Sequence, residues 1–141
     1  MNDRISKYML FSCGEHRYAV DVDAVDEISE LLPEYPLPDS SRFLRGVVTI
    51  HGKLAVVLDL SMYLGSGPVK NGKNLLLLKI PDTGLALIVS QMERIIFTDE
   101  VLASEPGRSE FEEALLTLQD GSVVLLALDA LVDSIEKVLA S

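Results

Sequence analysis

The sequence predicts an all-β protein made of two similar small β subdomains, with short helical turns and one C-terminal helix. Most apolar residues fall in short runs bounded by glycine- or proline-containing turns, the pattern of β-strands joined by tight connections. The order of these runs repeats in the second part of the chain. Helical spacing is clear in the last segment, where apolar residues share one side of a closing helix: Leu131, Ile135, Val138 and Leu139.

Composition limits the function classes. The chain has 141 residues, 48% of them hydrophobic, enough for one domain with a substantial core. Its formal net charge of -10 argues against binding nucleic acid or anionic lipid. The single cysteine, Cys13, excludes an internal disulfide and indicates a reducing compartment. Neither a signal-like start nor a membrane-length apolar run is present, so we expect a cytoplasmic protein without membrane insertion.

The first hairpin is predicted at Lys7–Cys13, with a return strand through Tyr18 and Val20. Asp23 then follows, and its carboxylate is expected to cap a short helical turn. Val25 and Ile28 are three residues apart and would share one face of that turn. The prolines of residues 32–39 argue against a regular strand or helix there.

The clearest hairpin spans Gly46–Leu60, where two apolar runs meet at His51-Gly52-Lys53. Asp59 is expected to cap a helical turn at residues 61–64. Residues 66–73 are rich in glycine and predict a loop between two halves, 7–65 and 74–140, within one domain covering residues 1–141.

The second half repeats this order of elements. Leu75–Ile80 and Leu85–Val89 are predicted strands joined by a turn at residues 81–84, and Met92–Phe97 is a further strand. Asp120-Gly121 marks another hairpin, and Asp129 is expected to cap the closing helix.

An internal repeat relates the two halves. Tyr18–Ile28 aligns without a gap to Leu85–Ile95, and Gly52 has its counterpart in Gly121. Short strands with turn glycines favour closed or half-closed barrels, because closure removes exposed edges.

No constellation of residues indicates catalysis. Cys13 and His16 have the spacing of half a zinc site, but no second Cys/His pair completes four ligands. The sequence has no glycine-rich phosphate loop and no nucleophile elbow. We therefore expect no enzymatic activity, no metal and no cofactor, and a binding function instead. A metal or hydrolytic protein using Cys13, His16 and His51 stays open as an alternative.

Residues 46–60, GVVTIHGKLAVVLDL, resemble the central signature of CheW-like domains, G-V-x-x-x-R-G-x-x-x-P-V-x-D-L. The matching positions are Gly46, Val47, Gly52, Val56, Asp59 and Leu60. His51 replaces the arginine of the signature and Ala55 the proline that often follows. Ser90 stands where the family commonly has an aspartate. The resemblance extends from about Tyr8 to Leu139.

The resemblance implies a fold of two five-stranded β-barrels side by side and the role of a non-enzymatic chemotaxis adaptor. Such proteins couple the cytoplasmic tip of chemoreceptors to the regulatory domain of a CheA-like histidine kinase, at membrane receptor arrays. Two other functions stay open: a divergent paralogue in another signalling array, and a small-molecule sensor that binds its ligand between the subdomains.

By position, the resemblance assigns partner binding to seven residues: Val25, Glu27, Ile28, Gly46, Val47, His51 and Gly52. In typical members the glutamate pairs with the arginine before the turn glycine, and the equivalents are Glu27 and His51. Arginine can grip a carboxylate with two parallel bonds, whereas neutral histidine offers one ring N–H. We therefore expect a weaker and pH-dependent Glu27–His51 contact. Core packing of Val25 and Ile28, and backbone geometry at Gly46, remain alternative explanations.

Overall fold

The computed structural model describes residues 6–37, 42–80 and 84–140. In these ranges the chain forms two β-sheets, two α-helices and two short 3-10 turns, Val22–Ala24 and Thr98–Glu100. The strands are β1 Lys7–Cys13, β2 His16–Asp21, β3 Val25–Glu30, β4 Leu44–Ile50, β5 Lys53–Asp59, β6 Asn74–Leu78, β7 Leu85–Val89, β8 Gln91–Phe97, β9 Ala103–Pro106, β10 Glu112–Leu118 and β11 Gly121–Leu126. The helices are α1 Leu60–Tyr63 and α2 Leu128–Ala140. The all-β fold class with a C-terminal helix is therefore confirmed.

Each sheet combines strands from both halves of the chain. The six-stranded sheet has the order β8-β1-β2-β11-β10-β9, and the five-stranded sheet has the order β3-β6-β7-β5-β4. The opening hairpin of each half thus pairs with the third strand and the closing hairpin of the other half. If each half of the chain, 7–65 or 74–140, formed a sheet of its own, the strand orders would be different.

The internal repeat is visible in the pairing of the strands. β2 runs parallel to β11, with Tyr18 opposite Val124, and β7 runs parallel to β5, with Leu85 opposite Val56. Tyr18 and Leu85 are aligned residues of the sequence repeat, so the two sheets are assembled in the same way.

The sheets differ at one edge, which explains six strands where the resemblance implies five. β9 pairs with β10 over four residue pairs. In the described residues, the equivalent segment of the five-stranded sheet contributes an isolated bridge between Tyr35 and Val47. Pro33 and Pro36 flank Tyr35 and lack backbone N–H groups, which reduces the number of ladder hydrogen bonds that this segment can donate.

In the described part of the chain, three clusters of buried side chains form the core. One lies inside the six-stranded sheet, around Leu10 and Ile96. A second lies inside the five-stranded sheet, around Val48 and Ile88. The third and largest packs both sheets against α2, whose Leu131 is fully buried. Central strands such as β7 are therefore buried on both faces, while edge strands such as β9 stay exposed.

Three local predictions are wrong. Asp21, not Asp23, caps the first short turn, because its Oδ1 accepts from the N–H of Asp23 at 2.9 Å. Residues 25–28 continue as strand β3 instead of a helical turn, so Val25 and Ile28 do not share a helical face. Helix α2 begins at Leu128, which places Asp129 in its first turn instead of at the cap.

Other predictions agree with the structure. The hairpin of residues 46–60 forms as β4 and β5, and Asp59 caps α1 by accepting from the N–H of Met62 at 3.1 Å. The predicted turn at residues 81–84 falls mostly outside the described residues. Within the described residues no ladder joins the two edge strands of either sheet, so barrel closure stays a prediction.

Candidate functional site

The candidate site is built on the two-residue turn between β4 and β5. His51 and Gly52 have φ angles of 48° and 79°, and Ile50 pairs with Lys53 across the turn. Positive φ at both central residues is the geometry of a type I′ turn, whose twist matches that of the strands. The turn presents the His51 side chain to solvent, with 78% of it exposed.

Glu27 meets His51 from strand β3. Glu27 Oε1 lies 2.7 Å from His51 Nε2, and 33% of the Glu27 side chain is exposed. The predicted contact between these residues is thus present, through one ring nitrogen. Pairs this exposed contribute about 0–1 kcal/mol to folding.

This contact joins the two edges of the five-stranded sheet. β3 and β4 are the edge strands, yet the turn that follows β4 reaches the side chain of Glu27. The sheet must therefore curl until its edges approach each other. The contact bridges the two edge strands at one point and creates an exposed polar feature on the rim of the sheet.

The six-stranded sheet carries an equivalent contact with its charges reversed. Arg94 occupies the position of Glu27 in the sequence repeat, and Asp120 precedes the turn glycine as His51 does. Their side chains are 3.7 Å apart. Arg17 extends this contact into a network, with Asp120 at 3.4 Å and Glu93 at 3.2 Å.

The network affects the acidity of its members. Desolvation raises the pKa of Asp120, but the charges of Arg17 and Arg94 outweigh it and the pKa is lowered overall. The backbone N–H of Phe97 and the guanidinium of Arg94 lower the pKa of Glu100. The contact on the six-stranded sheet thus uses permanently charged arginines, whereas the contact on the five-stranded sheet depends on a histidine.

The other residues assigned by resemblance are only partly grouped with this pair. Val25 packs against the central core, while Ile28 is 40% exposed beside Glu27 in sequence. Val47 lies along β4, where its N–H and C=O bond to the backbone of Tyr35 at 2.8 Å. Gly46 is buried at the same crossing. The structure brings together Glu27, His51 and Gly52.

Two exposed apolar residues near this region were not predicted. Tyr35 is 64% exposed where it crosses β4, and Leu54 is 68% exposed two residues after the turn. The prolines on both sides of Tyr35 were a usable signal, because they hold the backbone extended. Leu54 lies in an alternating apolar run, and the sequence alone does not show which face of the strand its side chain occupies.

Ser90 lies where the chain passes from the five-stranded to the six-stranded sheet. It is 8% exposed. Its Oγ accepts from the N–H of Gly14 at 2.9 Å and donates to the carbonyl of Lys70 at 2.5 Å. A hydroxyl can do both, whereas the aspartate common in the family could only accept. Serine therefore matches its surroundings here.

The residues of the metal alternative do not converge. Cys13 is 1% exposed in the core, and burial raises the pKa of its thiol to about 12. His51 lies on the other sheet. Across the described ranges, no group of three or more His, Cys, Asp and Glu residues could hold a metal ion. In the same ranges, no helix is both long and apolar enough to cross a membrane.

The fold and the rim contact define a class: two curled sheets of five and six strands that exchange their opening hairpins. Residues 7–136 match the CheW-like domain family, and the chain belongs to that family.

Two relatives resemble the chain over similar lengths. The chemotaxis protein CheW of Rhizobium meliloti (strain 1021) is 23% identical over 136 residues, which cover 90% of this chain and 87% of the relative. The crystal structure of the scaffolding protein TtCheW from Thermoanaerobacter tengcongensis superimposes with a TM-score of 0.78 at 24% identity. That match covers 90% of this chain and 87% of TtCheW.

Proposed function

We propose that this protein is a non-enzymatic adaptor of a chemotaxis-type pathway, which couples chemoreceptors to a CheA-like histidine kinase. The family match over residues 7–136 carries the proposal. The adaptor would act in the cytoplasm, recruited to membrane receptor arrays by its partners.

The geometry of the rim supports this role. Glu27 and His51 lie next to each other, with the His51 side chain largely exposed. Leu54 adds exposed apolar surface two residues after the turn, and Ile28 is exposed on the opposite face of strand β3 from Glu27. A mixed polar and apolar patch on a rigid sheet is the kind of surface that proteins recognise. We place the receptor contact here, with Val25, Gly46, Val47 and Gly52 shaping the strands beneath it.

The substitution of histidine for arginine should tune this contact. An imidazole carries a positive charge only when it is protonated, so its pairing with the Glu27 carboxylate is conditional. Arginine would hold the carboxylate at every physiological pH. We therefore expect His51→Arg to remove the pH dependence of partner binding between pH 6 and 8.

The experiment measures binding of two fragments by calorimetry: a receptor-tip coiled coil and a kinase regulatory domain, both from the organism that encodes this chain. Wild type, His51→Arg and His51→Asn are compared at pH 6 and pH 8. His51→Asn keeps a residue that favours the type I′ turn but removes the ion pair, so it separates the contact from the fold.

We expect wild type to bind the receptor fragment more tightly at pH 6 than at pH 8, and His51→Asn to lose that difference. Glu105→Gln, an exposed change on β9, serves as the control and should bind like wild type. Failure of wild type to bind either fragment would refute the adaptor role. Unchanged affinity and pH dependence in His51→Arg and His51→Asn would show that the rim is not the receptor contact.

A further inference from the structure

A groove runs along helix α2 and is separate from the rim contact. Helix α2 presents two rows to it, Leu128, Val132 and Glu136 in one and Asp129 and Asp133 in the other. Residues four apart lie on the same helical face, so both rows follow the groove for about two turns. The opposite wall consists of Ala24 and residues 78–80.

The wall opposite the helix is fixed in place. The N–H of Lys79 donates to the carbonyl of Ala24 at 2.8 Å, which joins the end of β6 to the short turn before β3. Leu78 and Ile80 point apolar side chains to the same cavity, which has a volume of about 340 Å³. This part of the groove therefore has an apolar floor between rigid walls.

A second cavity of about 490 Å³ continues the groove toward the six-stranded sheet. The two cavities share Ala24, Leu128 and Asp129. Leu125 and Leu126 of β11 extend the apolar floor, and Tyr8 lines the far side. The groove thus crosses the junction between the sheets. None of the seven residues that the family resemblance assigns to partner binding lines it.

The charge around this floor is strongly negative. Six carboxylates line the two cavities: Asp21, Asp23, Glu113, Asp129, Asp133 and Glu136. Lys79 is the basic residue among their lining residues in the described part of the chain. Lys137 pairs with Asp133 at 3.3 Å and offsets one of the six.

We propose that this groove binds a partner segment rich in lysine or arginine with aliphatic side chains between them. The apolar floor takes the aliphatic groups, and the carboxylates at its rim attract the cations. A second copy of the chain fits poorly because each copy carries a net charge of -10. The carboxylates are also too dispersed to form a metal site, as the described residues include no such cluster.

The test uses a short capped peptide of alternating lysine and leucine, with binding measured by fluorescence anisotropy on the full chain. A groove variant combines Asp129→Asn, Asp133→Asn and Glu136→Gln. A control variant makes the same charge change at exposed residues elsewhere, with Asp99→Asn, Glu105→Gln and Glu110→Gln. The loss of three weak charge contacts is expected to lower the affinity about tenfold in total.

We expect about tenfold weaker binding in the groove variant and a change below about twofold in the control variant. Val132→Thr, which keeps the shape of the floor but adds a hydroxyl, should also weaken binding. A peptide with glutamate for lysine should not bind. Equal weakening in the two triple variants, or no binding by wild type, would overturn the proposal. The rim proposal is unaffected by either result, because the variants leave Glu27 and His51 intact.

Discussion

Gly46 lies where the chain segment around Tyr35 crosses strand β4. A Cβ atom at Gly46 would lie 2.5 Å from the carbonyl oxygen of Tyr35. Its φ of 158° is also unfavourable for other residues. Backbone geometry therefore accounts for this glycine without a partner contact, while its role in partner binding stays a prediction.

Gly46→Ala should destabilise the protein by roughly 2 kcal/mol or more, because the clash is with backbone that cannot rotate away. Urea unfolding followed by circular dichroism measures the loss. Gly67→Ala is the matched control, since Gly67 has φ of 81° but no atom within 4 Å of the added Cβ. If both variants lose the same free energy of unfolding, the close approach to Tyr35 is not the cause of the loss at Gly46.

Cys13 should be unreactive in the native protein. Burial, opposed in part by a backbone hydrogen bond from Ser90, raises the pKa of its thiol to about 12, and the thiolate is the reactive form. We expect Ellman's reagent at pH 8 to modify native protein far more slowly than protein unfolded in urea. Comparable rates in the two states would contradict the buried thiol.

The same burial predicts a loss of stability at high pH. Burial raises the pKa of Tyr18 to about 12 as well, with a smaller contribution from Cys13. Both groups then bind protons more tightly in the folded than in the unfolded state. The stability that the two protonated groups contribute is fully present below the ordinary pKa of a thiol. It is lost as pH rises from about 9 to 12. Unfolding midpoints measured across this range should fall, and Cys13→Ser should reduce the slope.

At the scale of elements, the junction at Ser90 joins the turn after β1, the 66–73 loop and the start of β8. Ser90→Ala should cost roughly 1–2 kcal/mol, because it leaves the N–H of Gly14 without its acceptor. Ser90→Asp should cost more, since a buried carboxylate would face the carbonyl of Lys70.

Chemical denaturation of the two variants tests this order. Ser122, an exposed serine of β11, provides the control, because alanine or aspartate there should change stability by less than about 0.5 kcal/mol. An aspartate variant at position 90 as stable as wild type would show that the hydroxyl is not needed to donate.

Local elements were predictable where the determining contacts are local. The His51-Gly52 turn, the Asp59 cap and the Asp120-Gly121 hairpin depend on residues within a few positions of each other. The cap at Asp21 was missed because Asp23 has the same chemistry, and the choice between them depends on where β2 ends. For residues 25–28, helical spacing was misleading because pairing with β6 imposes the strand.

Across the whole molecule, the exchange of opening hairpins makes each half depend on the other. A chain cut between Gly67 and Pro68 gives fragments 1–67 and 68–141, each of which lacks part of both sheets. We expect neither fragment to fold alone and an equimolar mixture to recover the native circular dichroism spectrum.

Val124→Pro in the second fragment provides the control. Val124 pairs with Tyr18 in the parallel ladder between β11 and β2, and proline cannot donate to it. The mixture should then fail to assemble. Cooperative unfolding of fragment 1–67 by itself would contradict the interdependence of the halves.

The sequence repeat revealed two similar halves but not which strands pair. Pairing between β2 and β11 joins residues about a hundred positions apart, and apolar alternation is compatible with many partners for either strand. The Glu27–His51 contact was predictable only through the family resemblance. The groove along α2 combines residues from distant segments, and no local pattern indicates it.

The exchanged hairpins also impose an order on folding during synthesis. Strands β3 to β7 end at Val89, so the five-stranded sheet can be completed once that part of the chain has emerged. The hairpin of β1 and β2 is made first, yet its neighbour β11 is translated last. The hairpin ends at Asp21 and β11 at Leu126, so at roughly 5–20 residues per second the edge of β2 stays open for about 5–20 seconds. The nascent chain is therefore exposed to intermolecular strand pairing in this interval, which makes chaperones that bind extended segments relevant to its production.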